Sequence, residues 1–363
     1  MKILCVIDIL GSGGAQRQLV TLATNFKKKG HNVTFLVYHS DNFFKSILDK
    51  ANIPIIIINN TNYIKRFLTI RKYIRTGKYD SILSFLISPN LICELSSIFC
   101  KKWKLIVSER SANPNLQKKL SIKLKRFFHL FADRIVTNSN MNIQMINQTN
   151  PYLPKKKFIM IRNLVDFTIW YPDYSHLFKK NNIINMVITA RHQYLKNLMN
   201  LVEAINLLDP SKKQQIKINW FGQVYDNSYN EALLKIKEYQ LSNIFTFHNA
   251  TNNIATYIRQ CDVVGLFSKY EGFPNTICEG MACGKPIITT KISDMQLIIK
   301  ENVNGFLCDS ESISSITDAI NRLLNKSQIE LENMGKNNFI LANKLFNPEI
   351  ITNEYLKIMK NEK

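Results

Sequence analysis

The chain has 363 residues, 45% of them hydrophobic and 10% aromatic, an ordinary globular composition long enough for two separate cores. The formal net charge of +21 is unevenly placed: residues 1–165 carry 27 Lys+Arg against 7 Asp+Glu, and residues 166–363 carry 21 against 20. Low-complexity and disordered classes are excluded, while the basic half points to nucleic acid, to an anionic membrane surface, or to a plain solubility bias.

Short apolar runs alternate with helical patterns along the chain, as in parallel α/β sheets. KILCVIDI (2–9) is a buried first strand, followed by a Gly-rich turn and a helix from about Ala15 to Lys29 that Gly30 ends. The Asp8 inside that apolar run, and the lack of a small-residue cleavage site, argue against a secretory signal. Further strands are predicted at 31–38, 53–59, 80–86, 104–109 and 133–139, with a basic helix near 62–76. The apolar stretch 82–100 is interrupted by Pro89, Asn90 and Glu94, so it is a poor membrane span; it reads as a strand, a turn at Ser88-Pro89-Asn90, then a helix. A second series begins near 184, with strands at 184–190, 216–222, 244–249, 261–268 and 285–290. Helices are expected at 197–208, 229–239, 275–282, 312–325 and 328–345. Two doubly wound Rossmann-like domains follow, 1–165 and 166–345, with an amphipathic helix within 346–363 returning to the first. The seven cysteines have no CxxC spacing and no histidine cluster, so they read as buried free thiols in a reducing compartment rather than zinc ligands.

GSGGAQR (11–17) joins the first strand to its helix, where glycines let backbone N–H groups approach a phosphate. Gln16 stands where a dinucleotide fingerprint needs its third glycine, so a tight strand-helix turn accounts for the motif equally well. SKYEGFPNTICEGMACGKPIITT (268–290) carries more information. Glu271 and Glu279 stand eight apart, and a helix beginning near Asn275 would point its free N–H groups into a crevice at the strand ends, a setting suited to a diphosphate. Upstream, Arg191 sits at a strand end and Lys196 at a helix start, two cations able to neutralise a diphosphate leaving group or to remain a solvated surface couple.

EGFPNTICEGMACGKPII, with Arg191 followed five residues later by Lys196-Asn197, resembles the retaining GT-B glycosyltransferases of family 4. NLVDFTIWYP (163–172) is similar to that family's interdomain pattern, with Leu164 in place of Gly and Trp170 in place of Phe. NGFLC (304–308) and the Gly13-Gly14-Ala15-x-Arg17 turn match two more family motifs, in order, over about residues 3–345. The resemblance implies two domains facing across a cleft, the first for acceptor and the second for a nucleotide-sugar, with UDP as nucleotide. It implies that Arg191 and Lys196 bind the donor diphosphate, that Glu279 holds the ribose, and that Glu271 contacts donor sugar hydroxyls near the reacting carbon. Backbone groups of Phe273, Asn275 and Thr276 would face sugar and phosphate, Gly222 would lie under the phosphates, Asn253 and Ile254 would form a base-contact turn, and Gly13 and Gly14 would close on the diphosphate. Many relatives carry a histidine where Ser108-Glu109-Arg110 stands here, and His129 and His192 are not safe substitutes.

Transfer without an enzymic nucleophile fits a front-face route, in which the protein supplies orientation and charge stabilisation. No Asp-x-Asp occurs in the chain, so neither metal nor cofactor is expected. QKKLSIKLKRFFHLF (117–131) places Leu120, Leu124, Phe127, Phe128 and Phe131 near one helical face among five cations, which reads as an interfacial helix or as an ordinary packed helix with a charged outer face. With a polyprenyl-diphosphate-linked glycan as acceptor, the expected place is cytoplasmic, peripheral at the inner face of the membrane. The rivals are a sugar-nucleotide epimerase or hydrolase of the same fold, a nucleic-acid-binding protein, which lacks any recognised motif, and an oxidoreductase, which lacks the glycine fingerprint.

Overall fold

A computed structural model describes residues 1–99 and 101–360. The chain divides into two compact units, one of Met1–Leu164 with the segment from Pro348 onward, the other of Val165–Asn347.

The first unit is a seven-stranded parallel sheet. Its strands are β1 (Lys2–Val6), β2 (Asn32–Val37), β3 (Ile55–Ile57), β4 (Ser81–Phe85), β5 (Lys104–Glu109), β6 (Arg134–Thr137) and β7 (Phe158–Met160), in the order β3-β2-β1-β4-β5-β6-β7. Ile3, Leu4, Cys5 and Val6 of β1 are fully buried, as a central parallel strand covered on both faces requires. Each such side chain contributes about 1.5–3 kcal/mol by leaving water. The helix Gly14–Lys28 turns Leu19, Leu22, Ala23 and Phe26 into the core, and Gly30 at φ +81° ends it in the left-handed conformation that glycine takes without strain. The terminal helix Pro348–Lys360 lays Ile351, Tyr355, Leu356 and Met359 into the same core, with the Tyr355 ring edge-on to Phe26 at 6.5 Å.

The second unit is a six-stranded parallel sheet of β8 (Ile184–Thr189), β9 (Ile216–Phe221), β10 (Phe245–His248), β11 (Val263–Leu266), β12 (Ile287–Thr290) and β13 (Gly305–Cys308), ordered β10-β9-β8-β11-β12-β13. In both sheets the order reverses beside the first strand, between β1 and β4 and between β8 and β11, and that reversal opens a crevice at the carboxyl ends of the strands.

Three local expectations need correction. Ser88-Pro89-Asn90 is not a turn: a helix runs from Ile87 to Ser97, and Pro89 falls in its first turn, where a missing N–H costs nothing. The reversal of direction is made instead by Leu86, at φ 77° and ψ 154°. Residues 117–131 are not one helix but end a short helix, Pro114–Gln117, and continue as Leu120–Phe127 and a 3-10 turn, Phe128–Phe131. Finally, β7 and β13, three and four residues long, are strands that the pattern did not announce. Among the described residues six cysteines are free and buried, while Cys100 lies outside them. No described helix is long and apolar enough to cross a membrane.

Candidate active site

The carboxyl edge of the second sheet gathers most of the residues expected to act. The chain leaves β8 at Thr189 and passes Arg191, whose exposed guanidinium stands over the Tyr225 ring, 5.8 Å from its centroid, and makes no hydrogen bond or ion pair with a described residue. A 3-10 turn, Tyr194–Lys196, then presents Lys196, and Asn197 at φ 65° starts the next helix while its amide donates to the Ser310 carbonyl at 2.8 Å. Lys196 Nζ pairs with Glu271 Oε1 on the loop after β11, and Ser268 Oγ donates to the same oxygen at 2.9 Å.

The helix Asn275–Ala282 follows that loop. Pro274, extended at ψ 112°, is its N-cap, and Thr276 in its first turn donates to the Thr189 carbonyl at 3.0 Å and meets the Thr189 hydroxyl at 2.6 Å. The start of this helix is therefore tied to the end of β8, between the two central strands of the sheet. Glu279 lies one turn further along, buried. Phe273 packs its ring against Phe346, with the centroids 5.9 Å apart. Gly222, just past β9, accepts no side chain: a Cβ there would lie 1.9 Å from the Ala190 carbonyl oxygen and 3.1 Å from Arg191 Cα. The close approach that Gly222 permits is thus between its own backbone and the strand end carrying Arg191. Asn253 closes a turn that leads into the helix Ile254–Gln260 and caps it, and Ile254 packs against the core. Arg191, Lys196, Gly222, Glu271 and Thr276 form one connected cluster; Asn253 stands at the end of β10, two strands from β8.

Tyr225, Ser268 and Thr189 belong to this cluster without having been singled out from the sequence. Tyr225 had a signal, an aromatic three residues past a strand-end glycine. The two hydroxyls had none, since nothing in the chain announces that Ser268 would reach Glu271.

In the first unit Gly13 caps the helix Gly14–Lys28, and a Cβ on it would strike the Gln16 amide at 2.1 Å. Asp8, at the carboxyl end of β1, borders two cavities. One, of about 420 Å³, is walled by Tyr38, His39, Tyr63, Arg66 and Lys125; the other, of about 150 Å³, by Leu86, Pro89, Glu109 and Arg110. Burial pushes the Asp8 carboxyl above its usual range. Arg66 lies 5.0 Å from the Tyr38 ring centroid and 4.7 Å from that of Tyr63.

Two family models match the chain: the one described as Glycosyltransferase Family 4 covers residues 12–169, and the one described as Glycosyl transferases group 1 covers residues 173–339. The chain belongs to the family-4 glycosyltransferases. A Campylobacter jejuni GalNAc-alpha-(1->4)-GalNAc-alpha-(1->3)-diNAcBac-PP-undecaprenol alpha-1,4-N-acetyl-D-galactosaminyltransferase is 25% identical, with all of this chain and 99% of the relative aligned. A second enzyme of that organism, an N-acetylgalactosamine-N,N'-diacetylbacillosaminyl-diphospho-undecaprenol 4-alpha-N-acetylgalactosaminyltransferase, is 24% identical over 88% of this chain and 89% of its own. Among solved structures, Anabaena HepE in complex with UDP-glucose superposes with a TM-score of 0.87 at 19% identity, covering 99% of this chain and all of that one, which shows the GT-B fold.

As a family-4 glycosyltransferase this chain transfers sugars, and its departure from the family's histidine can be followed side chain by side chain. Arg110 is consumed internally: it donates to Ser108 Oγ at 2.9 Å, Asn163 Oδ1 at 2.8 Å and Tyr355 Oη at 2.5 Å. Glu109 is buried against Arg126, whose guanidinium holds it at 2.6 Å, and against His129 at 3.0 Å. His129 also meets Glu94 at 2.5 Å. Burial works against the imidazolium, but the two carboxylates outweigh it and push His129 up to about 10. Burial would raise Glu109 too, yet His129 and Arg126 hold it at about 2. His192 is buried among Trp220, Tyr229 and Phe247, and burial pushes it down to about 4. Both histidines are packed away from solvent. Arg126, expected on a charged outer face, points inward, while Leu120 at 79%, Leu124 at 62% and Phe127 at 42% exposure form an uncovered apolar stripe.

Proposed function

We propose that the chain is a retaining, metal-independent glycosyltransferase that moves a sugar from a nucleoside-diphosphate donor, with UDP as the nucleotide, to a glycan carried on a polyprenyl diphosphate. The observation that carries the donor site is Arg191: an exposed guanidinium without a carboxylate partner among the described residues, at the edge where the sheet order reverses, beside Lys196 and the start of the Asn275–Ala282 helix. Those three sources of positive charge suit a diphosphate, and they stabilise it as it leaves without needing a divalent cation. Glu279 takes the ribose hydroxyls. Glu271, oriented by Lys196 and Ser268, accepts hydrogen bonds from sugar hydroxyls and is not freed to act as a nucleophile. The bond from the anomeric carbon to the phosphate oxygen breaks, the acceptor oxygen bonds to the same face of that carbon, and the acceptor proton passes to the leaving phosphate.

The acceptor is taken by the first unit. Its cavity beside Asp8 offers Arg66 and Lys125 for phosphate and aromatic walls for sugar rings. The uncovered Leu120-Leu124-Phe127 stripe among lysines supports docking on an anionic membrane surface at its inner face. Both C. jejuni relatives are named for undecaprenol-diphosphate acceptors, and HepE binds UDP-glucose, which favours the same acceptor and nucleotide class here.

Calorimetric titration of UDP, GDP, ADP and CMP into the protein in EDTA tests this. UDP is expected to bind in preference to the others, and Glu279→Ala and Arg191→Ala each to weaken it at least tenfold. Absence of binding by any of the four sinks the reading. Proton coupling at the anomeric centre of donor and product decides retention.

A further inference from the structure

The second unit holds a cavity of about 540 Å³ that the transfer chemistry leaves unused. It lies at the C-terminal end of the Asn275–Ala282 helix, the end opposite Thr276. Its floor is Gly284 and Gly335. A Cβ on Gly335 would lie 2.1 Å from the Gly284 carbonyl oxygen, and Gly284 takes φ +66°, so the two segments touch there only because both residues are glycine. Phe178 and Phe339 wall it, and Tyr174 and Ile340 stand exposed at its mouth.

Lys285 lines this cavity although only 1% of its surface is exposed. Its ammonium lies 4.8 Å from the centroid of the Phe178 ring and makes no hydrogen bond or ion pair with a described residue. Asp262, the nearby buried carboxylate, is already taken: it accepts from His176 Nε2 at 3.0 Å, Lys179 N at 2.9 Å and Asn185 N at 2.7 Å. A buried cation without an acceptor is costly, and the ring face offsets only part of that cost. Burial accordingly pulls the Lys285 ammonium below its usual range. Asp173, Glu332 and Lys336 also line the cavity but are partly or fully open to solvent, and Asp173 already accepts from Ser175, so Lys285 is its one buried charge. A largely apolar chamber of this size with such a charge at its wall has the make-up of a small-molecule site.

We propose that this cavity binds a small amphiphilic anion, its aromatic or aliphatic body against Phe178 and Phe339 and its single oxyanion head on the Lys285 ammonium. The site is separate from the edge where Arg191 and Lys196 stand, so it fills whether or not a nucleotide is bound. Carboxylates and phosphate monoesters share the required chemistry.

The test titrates 2-naphthoate, 2-naphthyl phosphate and neutral 2-naphthol into the full chain, with and without saturating UDP. At least one anion is expected to bind saturably and tenfold or more tighter than 2-naphthol, with the stronger of the two naming the head group, and UDP is expected to leave it in place. Lys285→Met should abolish the preference for the anion while leaving weak 2-naphthol binding. Ile340→Glu, a substitution at an exposed position that the fold tolerates, should weaken the anion several-fold by adding a like charge at the mouth. Equal binding of anion and alcohol, no saturable binding, no effect of either substitution, or displacement by UDP would each overturn the proposal. Failure of UDP itself to bind would touch the donor site alone.

Discussion

At the scale of single residues the proposed donor site turns on side chains held by few bonds. Lys196 pairs with Glu271, both partly open to solvent, so Lys196→Ala should leave the fold intact. It should lower kcat by about 10²–10³, or roughly 2.7–4 kcal/mol of transition-state stabilisation, as removal of one preorganised charge contact does elsewhere. Initial rates of sugar transfer check this, and a change confined to KM would remove Lys196 from leaving-group stabilisation. Gly222→Ala acts differently. A Cβ 1.9 Å from the Ala190 carbonyl oxygen meets backbone, which cannot rotate aside, so about 1–3 kcal/mol of stability should be lost and the urea midpoint should fall. Much at this scale was legible in the sequence. Arg191, Lys196, Glu271 and Thr276 lie in contiguous motifs whose spacing places them on a strand end, a helix start and a loop, and those elements converge at one sheet edge. What was not legible depends on tertiary neighbours. Ser268 reaching Glu271, Tyr225 beneath Arg191, and Arg66 between Tyr38 and Tyr63 join residues that no local pattern relates.

At the scale of elements the most charged packing is the buried group of Glu94, Glu109, Arg126 and His129, which fastens the Ile87–Ser97 helix, the end of β5 and the Leu120–Phe127 helix together. Periodicity placed the strand and the first helix. It could not tell that Arg126 faces inward, because a cation in a lysine-rich helix reads as solvated until its carboxylate partner, seventeen residues away on β5, is brought beside it. The same limit misplaced the Ser88-Pro89-Asn90 turn: proline signals a break, but at a helix start it is tolerated. The network makes a pH prediction with a definite sign. His129 titrates at about 10 when folded against 6.5 as the ordinary value, so its contribution to stability is complete below 6.5 and is lost as pH rises through about 10. His129→Gln should remove that fall from urea midpoints measured between pH 6.5 and 10. At pH 7 it should cost about 3–5 kcal/mol, since it strips a partner from two buried carboxylates. A midpoint that declines equally in both proteins over this window would show that the imidazolium is not what holds the helices.

At the scale of the whole molecule the charge asymmetry is the property that sequence alone exposed most fully, and structure adds where it can act. The basic unit carries an uncovered apolar stripe, Leu120, Leu124 and Phe127, with Lys118, Lys119 and Lys123 in the same segment. Apolar insertion and lysine attraction together are the ingredients of reversible binding to an anionic surface; lysines alone would serve a polyanion such as duplex DNA equally, but exposed leucines offer it nothing. Each lysine near an anionic leaflet is worth about 1 kcal/mol. Replacing Lys118, Lys119 and Lys123 by Ala together should therefore cost about 3 kcal/mol, close to a hundredfold in partition onto vesicles containing phosphatidylglycerol, with the loss shrinking as salt is raised. Leu124→Asp should weaken partition as well, but with a deficit that salt does not remove, because it acts on burial of apolar surface. UDP binding, proposed for the other unit, should be unchanged in both variants. Flotation of the full chain with vesicles of phosphatidylcholine alone and with added phosphatidylglycerol separates the two terms. If the triple variant floats like the unaltered protein, the lysines of this segment are only solvated charge and the acceptor is met without help from the membrane surface.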